Sequence, residues 1–138
     1  MNTPTLLFTF LLYFSSMMSF AQAEKSPVEV VQLQLDAYNK QDLALFCSVF
    51  SEDVLVYKNL GDSLPSMRGR AEVEKQYGAM FKKYPSNKST LIGRMQEGNV
   101  VIDHEWITGR EKEMRIMAIY EVKAGLISRC WFIRSAMQ

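Results

Sequence analysis

The chain has 138 residues, of which 16 are Lys or Arg and 15 are Asp or Glu, so its formal net charge is only +1. There is no long basic run and no interleaving of aromatic with basic residues, which argues against nucleic acid as a partner. Two cysteines and a single histidine, with no CxxC and no His/Cys cluster, give no support to a structural metal site, and no motif asks for a cofactor.

Residues 5–20 carry no charge and are dominated by Leu, Phe and Met; Ala21-Gln22-Ala23 follows, the small-x-small pattern of a signal-peptidase site. The apolar core at residues 6–14 is short against the roughly 20 residues that a bilayer span needs. The segment before it lacks Lys and Arg, so a retained anchor is the competing reading. No Cys follows the small residues, which speaks against a lipoprotein. Residues 1–23 are therefore expected to be a signal peptide, and residues 24–138 one exported domain, periplasmic or secreted, free of the membrane after cleavage. That leaves about 115 residues, enough for one core and not two. Cys47 and Cys130 could pair in an oxidising compartment or stay as two buried thiols, and their spacing does not decide.

Ser26-Pro27-Val28-Glu29 predicts a helix start: Ser26 can cap, Pro27 suits the first turn, and Glu29 closes a capping box. The helix should run to Tyr38, with Val28, Val31, Leu35 and Tyr38 on one stripe. Asp42 can cap a short second helix over residues 43–49. A strand is expected at 54–58 and a loop at 59–68, where Gly61, Asp62 and Pro65 fall. Val73, Tyr77, Met80, Phe81 and Tyr84 recur at helical spacing, so a third helix should span 69–84 and stop at Pro85. The period then changes. Four strands are predicted at 88–96, 100–108, 113–122 and 126–134, joined by turns so short that neighbours must run antiparallel. Helices grouped on one face of an antiparallel sheet make an α+β fold, and a strongly twisted sheet around one amphipathic helix leaves a cone that can be a pocket.

Within the second of these strands stand Asp103, His104 and Glu105, flanked by aliphatic residues and Trp106. Alternation puts Asp103 and Glu105 on one face and His104 on the other with Ile102 and Trp106. The acids either face water or line a cavity where their ionisation matters. A slip of one residue would exchange the faces and bring His104 inside as the proton-transfer group. Trp106 and Trp131 read as packing or dimer-face residues, and Arg68, Arg70, Arg110 and Arg115 as solvated charges.

The order of elements, with Val30-Val31-Gln32, Tyr38-Asn39, Phe50-Ser51-Glu52-Asp53-Val54, Gly69-Arg70-Ala71, Ala118-Ile119-Tyr120-Glu121-Val122 and Trp131-Phe132-Ile133, resembles the SnoaL-like branch of the nuclear transport factor 2 (NTF2-like) superfamily, which is related to ketosteroid isomerase. The resemblance implies an NTF2-like cone of three N-terminal helices on a strongly curved antiparallel sheet, and frequent homodimers. The isomerase residues do not carry over: the oxyanion-hole tyrosine falls at Gln34, the general-base aspartate at Lys58, and the protonated aspartate near Ala118. An authentic ketosteroid isomerase reaction is therefore not expected. The same matching points Asp103 and Glu105 into the cone with Lys58, Tyr77, Cys130 and Phe132, and suggests that Lys58 pairs with the two carboxylates.

Two functions follow. One is a binding module holding a small, mostly apolar molecule among Gln34, Lys58, Tyr77, Ala118, Cys130 and Phe132. The other is an isomerase-, cyclase- or hydrolase-type enzyme using Asp103 with His104 or Glu105 as acid and base.

Overall fold

The computed structural model describes residues 23–134. The expected signal peptide lies outside them save for its last residue. Among the described residues no helix is long and apolar enough to cross a membrane.

Helix α1 (Pro27–Lys40) starts where its capping box puts it: Ser26 Oγ accepts from the Glu29 N–H, and Glu29 Oε2 accepts from the Ser26 N–H at 2.8 Å. Such caps are worth about 1 kcal/mol. Its buried stripe holds Val30, Val31, Gln34, Leu35, Ala37 and Tyr38. Gln41 ends it in the left-handed conformation (φ 54°), and its side chain donates to the Tyr84 carbonyl at 2.8 Å. Helix α2 (Leu43–Ser48) is capped by Asp42, whose carboxylate accepts from the Leu45 N–H.

Strand β1 (Phe50–Tyr57) begins earlier than residue 54 because Phe50 already pairs with Ile127, a partner far along the chain. Two residues of the expected 59–68 loop form β2 (Met67–Arg68), antiparallel to β1. Helix α3 (Arg70–Lys83) follows, with Val73 and Phe81 buried. The meander is β3 (Lys88–Glu97), β4 (Val100–Thr108), β5 (Met114–Lys123) and β6 (Leu126–Arg134). The sheet order is β2-β1-β6-β5-β4-β3, and every pairing is antiparallel except β1 with β6. The fold is thus α+β, with the helices packed on a curved, open sheet.

An aromatic cluster locks the helices to β1. Phe46 lies 4.5 Å from the Tyr77 ring and 5.1 Å from Phe50, and Tyr38 meets Phe81 edge-on at 5.6 Å. Quadrupole-favoured contacts of this kind add to the burial of large apolar rings. Cys47 and Cys130 are both buried free thiols.

One irregularity positions the site. Between Leu91 and Gly93 the β3–β4 register shifts by a residue: Leu91 opposes Glu105, but Gly93 opposes His104 and Arg94 opposes Asp103. A bulge re-aims every side chain beyond it. Without it, Arg94 would share the outer face with His104; with it, Arg94 turns inward beside Asp103.

Candidate functional site

Asp103 and Glu105 both face the interior, 0% and 4% exposed, while His104 lies on the opposite face beside Met117 of β5. The cone thus receives the two acids and not the histidine. The acids then part company. Both Asp103 oxygens accept from Arg94, at 2.7 Å from Nε and 2.7 Å from Nη2, a bidentate pair with planar complementarity. Arg94 Nη1 donates to Gln32 Oε1 at 2.8 Å, tying β3 and β4 to α1. The bond to Asp103 drives the Arg94 guanidinium further toward its protonated form. Asp103 does not reach the cavity. Its partner is Arg94 rather than the expected Lys58, which is exposed at the end of β1 and has no ion pair among the described residues.

Glu105 does reach the cavity. Its Oε2 accepts from Ser89 Oγ at 2.6 Å, and its Oε1 lies 3.5 Å from the Tyr120 hydroxyl. That hydroxyl is also 3.3 Å from Gln34 Oε1. One phenolic hydrogen therefore serves two acceptors, and a proton on Glu105 would satisfy the second. Burial pushes the Glu105 carboxyl up to about 7, with the Asp103 charge acting the same way; the Ser89 bond and Arg94 oppose it. A carboxyl so placed can donate or accept a proton near neutral pH.

The cavity has a volume of about 250 Å³. Gln34, Tyr38, Glu105 and Tyr120 are among its buried polar groups, and Leu35, Ile107, Ile116 and Phe132 are among its apolar walls. Tyr77, at its α3 side, has its phenol held well above the ordinary range by burial. Of the residues expected to line it, Gln34, Lys58, Tyr77 and Phe132 do so. Ala118 and Cys130 do not: they are on the inner face but wholly buried, and their cross-strand partners, the longer Phe132 and Tyr120, fill the lining in their place. Among the described residues no group of three or more His, Cys, Asp or Glu is placed to hold a metal.

Two arginines depart from the expected solvated surface. Arg70 donates twice to the Phe50 carbonyl, from Nε at 2.9 Å and Nη2 at 2.6 Å. Arg110 donates from Nε to Asn87 Oδ1 at 2.8 Å and from Nη2 to the Tyr38 hydroxyl at 2.7 Å, and it lines the cavity. Tyr120 was within reach of sequence reasoning, since it shares a strand face with Ala118. Arg94 and Arg110 were not, because one depends on the bulge and the other on a turn.

Helices on a curved open sheet around one deep pocket define the cystatin-like, NTF2-like class of fold. The SnoaL-like domain family matches residues 31–130, and the chain belongs to it. No curated protein sequence matches the chain. Among solved structures, an uncharacterised cystatin-fold protein from Novosphingobium aromaticivorans is similar at 24% identity and a TM-score of 0.74, over 80% of this chain and 99% of that one. A proposed ketosteroid isomerase from Kribbella flavida is similar at 18% identity and a TM-score of 0.69, over 81% of this chain and 79% of that one. IdmH, a proposed polyketide cyclase from Streptomyces antibioticus, is similar at 20% identity and a TM-score of 0.67, over 80% of this chain and 93% of that one. Identities this low speak for the fold alone.

Proposed function

We propose that the chain binds a small, mostly apolar molecule in its cone, with Glu105 meeting the polar group at the buried end. The observation that carries this reading is a lone buried carboxyl, bonded to Ser89 and not neutralised by a cation of its own, in a solvent-connected pocket whose walls include Leu35, Ile107, Ile116 and Phe132. Buried acids are kept either in ion pairs, as Asp103 is, or where their proton has a use. A thermal-shift screen of lipid, steroid and polyketide-like compounds tests it, since a ligand bound only to the folded state raises the melting point. Hits are expected to lose part of their effect in E105Q. A screen without hits, or hits indifferent to that substitution, would refute the role given to the pocket floor.

A second reading is favoured by the near-neutral Glu105 carboxyl: acid–base catalysis of the isomerase, cyclase or hydrolase type, with Glu105 as the proton-transfer group. Asp103 is engaged by Arg94 and His104 faces away, so neither assists in that reading. The uncharged segment at residues 5–20 and Ala21-Gln22-Ala23 support export after removal of residues 1–23, and the N-terminal mass of the protein recovered from cells decides it. A homodimer is proposed through the outer sheet face, where Ile92, Met95, Trp106 and Met117 are exposed; sedimentation as a monomer would end that proposal.

A further inference from the structure

The pocket mouth is basic, and the reason is topological. Strands β1 and β6 run parallel, so Lys58, just past the end of β1, and Arg134, the last residue of β6, leave the sheet at the same end. Arg134 opposes Ile116 near the start of β5, which places the β4–β5 turn, and with it Arg110, at that end too. All three side chains line the cavity. None is in an ion pair among the described residues, and the only carboxylate lining the pocket is the deeply buried Glu105. Glu111, next to Arg110 in sequence, is engaged elsewhere, by Lys83 and the Tyr84 hydroxyl at 3.3 Å each. In a chain whose charges balance to +1, three cations around one opening, without an ion pair among the described residues, are a local concentration.

One of the three is built rather than merely present. The Arg110 fork is fixed by Asn87, itself fully buried, and by the Tyr38 hydroxyl, 2.7 Å from Nη2. Its Nη1 has no protein acceptor among the described residues. The Tyr38 hydroxyl oxygen accepts from both Arg110 and Asn87, so its own hydrogen remains to donate, and Tyr38 also lines the cavity. With Nη2 also donating to Met80 Sδ, the remaining Nη1 beside the phenolic O–H offers donors to two oxygens of one planar group. Gly109 makes the placement possible: at φ 75° it carries the chain against the Ser86 carbonyl, where any Cβ would collide.

Resting on the reading of the cone as a ligand pocket, we infer that its ligand is an amphipathic carboxylic acid. The carboxylate sits at the mouth among Lys58, Arg110, Arg134 and the Tyr38 hydroxyl; the apolar body fills the cone; and the far end approaches Glu105. A carboxylate fits the two-donor arrangement better than a phosphate, whose third oxygen and second charge would need further donors that only the exposed Lys58 and Arg134 could supply.

Calorimetric titration with matched compounds tests it: benzoate, 2-naphthoate and anthracene-2-carboxylate, each beside its primary carboxamide and the 2-naphthyl phosphate, at neutral pH and at low and high salt. At low salt at least one acid should bind about tenfold tighter than its amide, with the advantage shrinking as salt screens the exposed cations. The double substitution Lys58→Gln with Arg134→Gln changes exposed residues; it should leave the melting point unchanged and cut the acid's advantage over its amide to about threefold. Amides binding as tightly as acids, an advantage untouched by that double substitution, or a phosphate preferred to the carboxylate would overturn the inference and leave the pocket reading standing. No binding by any compound, charged or neutral, would overturn both.

Discussion

Replacing Glu105 with Gln should remove a pH dependence from the stability of the protein. Burial pushes the folded-state carboxyl up to about 7, from an ordinary 4.5. Between those values the folded protein keeps a proton that the unfolded chain has released. The folded state then binds more protons than the unfolded one, so unfolding free energy falls as pH rises through the window. At about 1.4 kcal/mol per pH unit, the gap between the two values amounts to about 3 kcal/mol, present below pH 4.5 and lost above 7. A Gln side chain mimics the protonated acid: its carbonyl can accept from Ser89 Oγ, and its amide can donate toward Tyr120 or Gln34. Urea unfolding of wild type and E105Q, followed by circular dichroism in small pH steps, isolates the effect because titrations not coupled to Glu105 cancel in the difference. The two should be within about 1 kcal/mol of each other near the acid end, and E105Q should be the more stable by about 3 kcal/mol above neutrality. A difference that stays flat with pH would refute the claim that this carboxyl titrates late because it is buried.

Two further predictions concern the groups that hold the site. Arg94→Leu strands the Asp103 carboxylate in the interior and should destabilise the protein by about 3–5 kcal/mol, whereas Arg94→Leu with Asp103→Leu should recover most of that. The single variant should also raise the Glu105 carboxyl further, visible in side-chain carboxyl NMR, because Arg94 acts to lower it. Gly109→Ala combines a left-handed backbone with a collision against the Ser86 carbonyl and should cost about 2–4 kcal/mol in denaturant unfolding; a loss below 1 kcal/mol would mean that the turn relaxes without penalty.

How much of this was legible in the sequence differs from element to element. The start of α1 was, because Ser26, Pro27 and Glu29 act within four residues of one another. The face carrying Asp103 and Glu105 was, because strand alternation is local and β4 has no irregularity. The early start of β1 was not, since Phe50 is extended by pairing with Ile127, a contact across most of the domain. Nor was β2, two residues whose strand partner among the described residues is β1.

The sequence by itself determined the order of the three helices and the four-strand meander, the α+β class, the family resemblance and the shared face of the two acids, all of which rest on spacing and on contacts among near neighbours; that this face turns inward was decided by the tertiary fold. Tertiary structure decided what those acids can do. A one-residue bulge in β3 turned Arg94 inward to bind Asp103, leaving Glu105 without a cation of its own. The parallel pairing of β1 with β6 brought Lys58 and Arg134 to the mouth of the cone, away from its floor. Both are matters of register between strands distant in the chain, and no local pattern of residues encodes a register that only the partner strand can set.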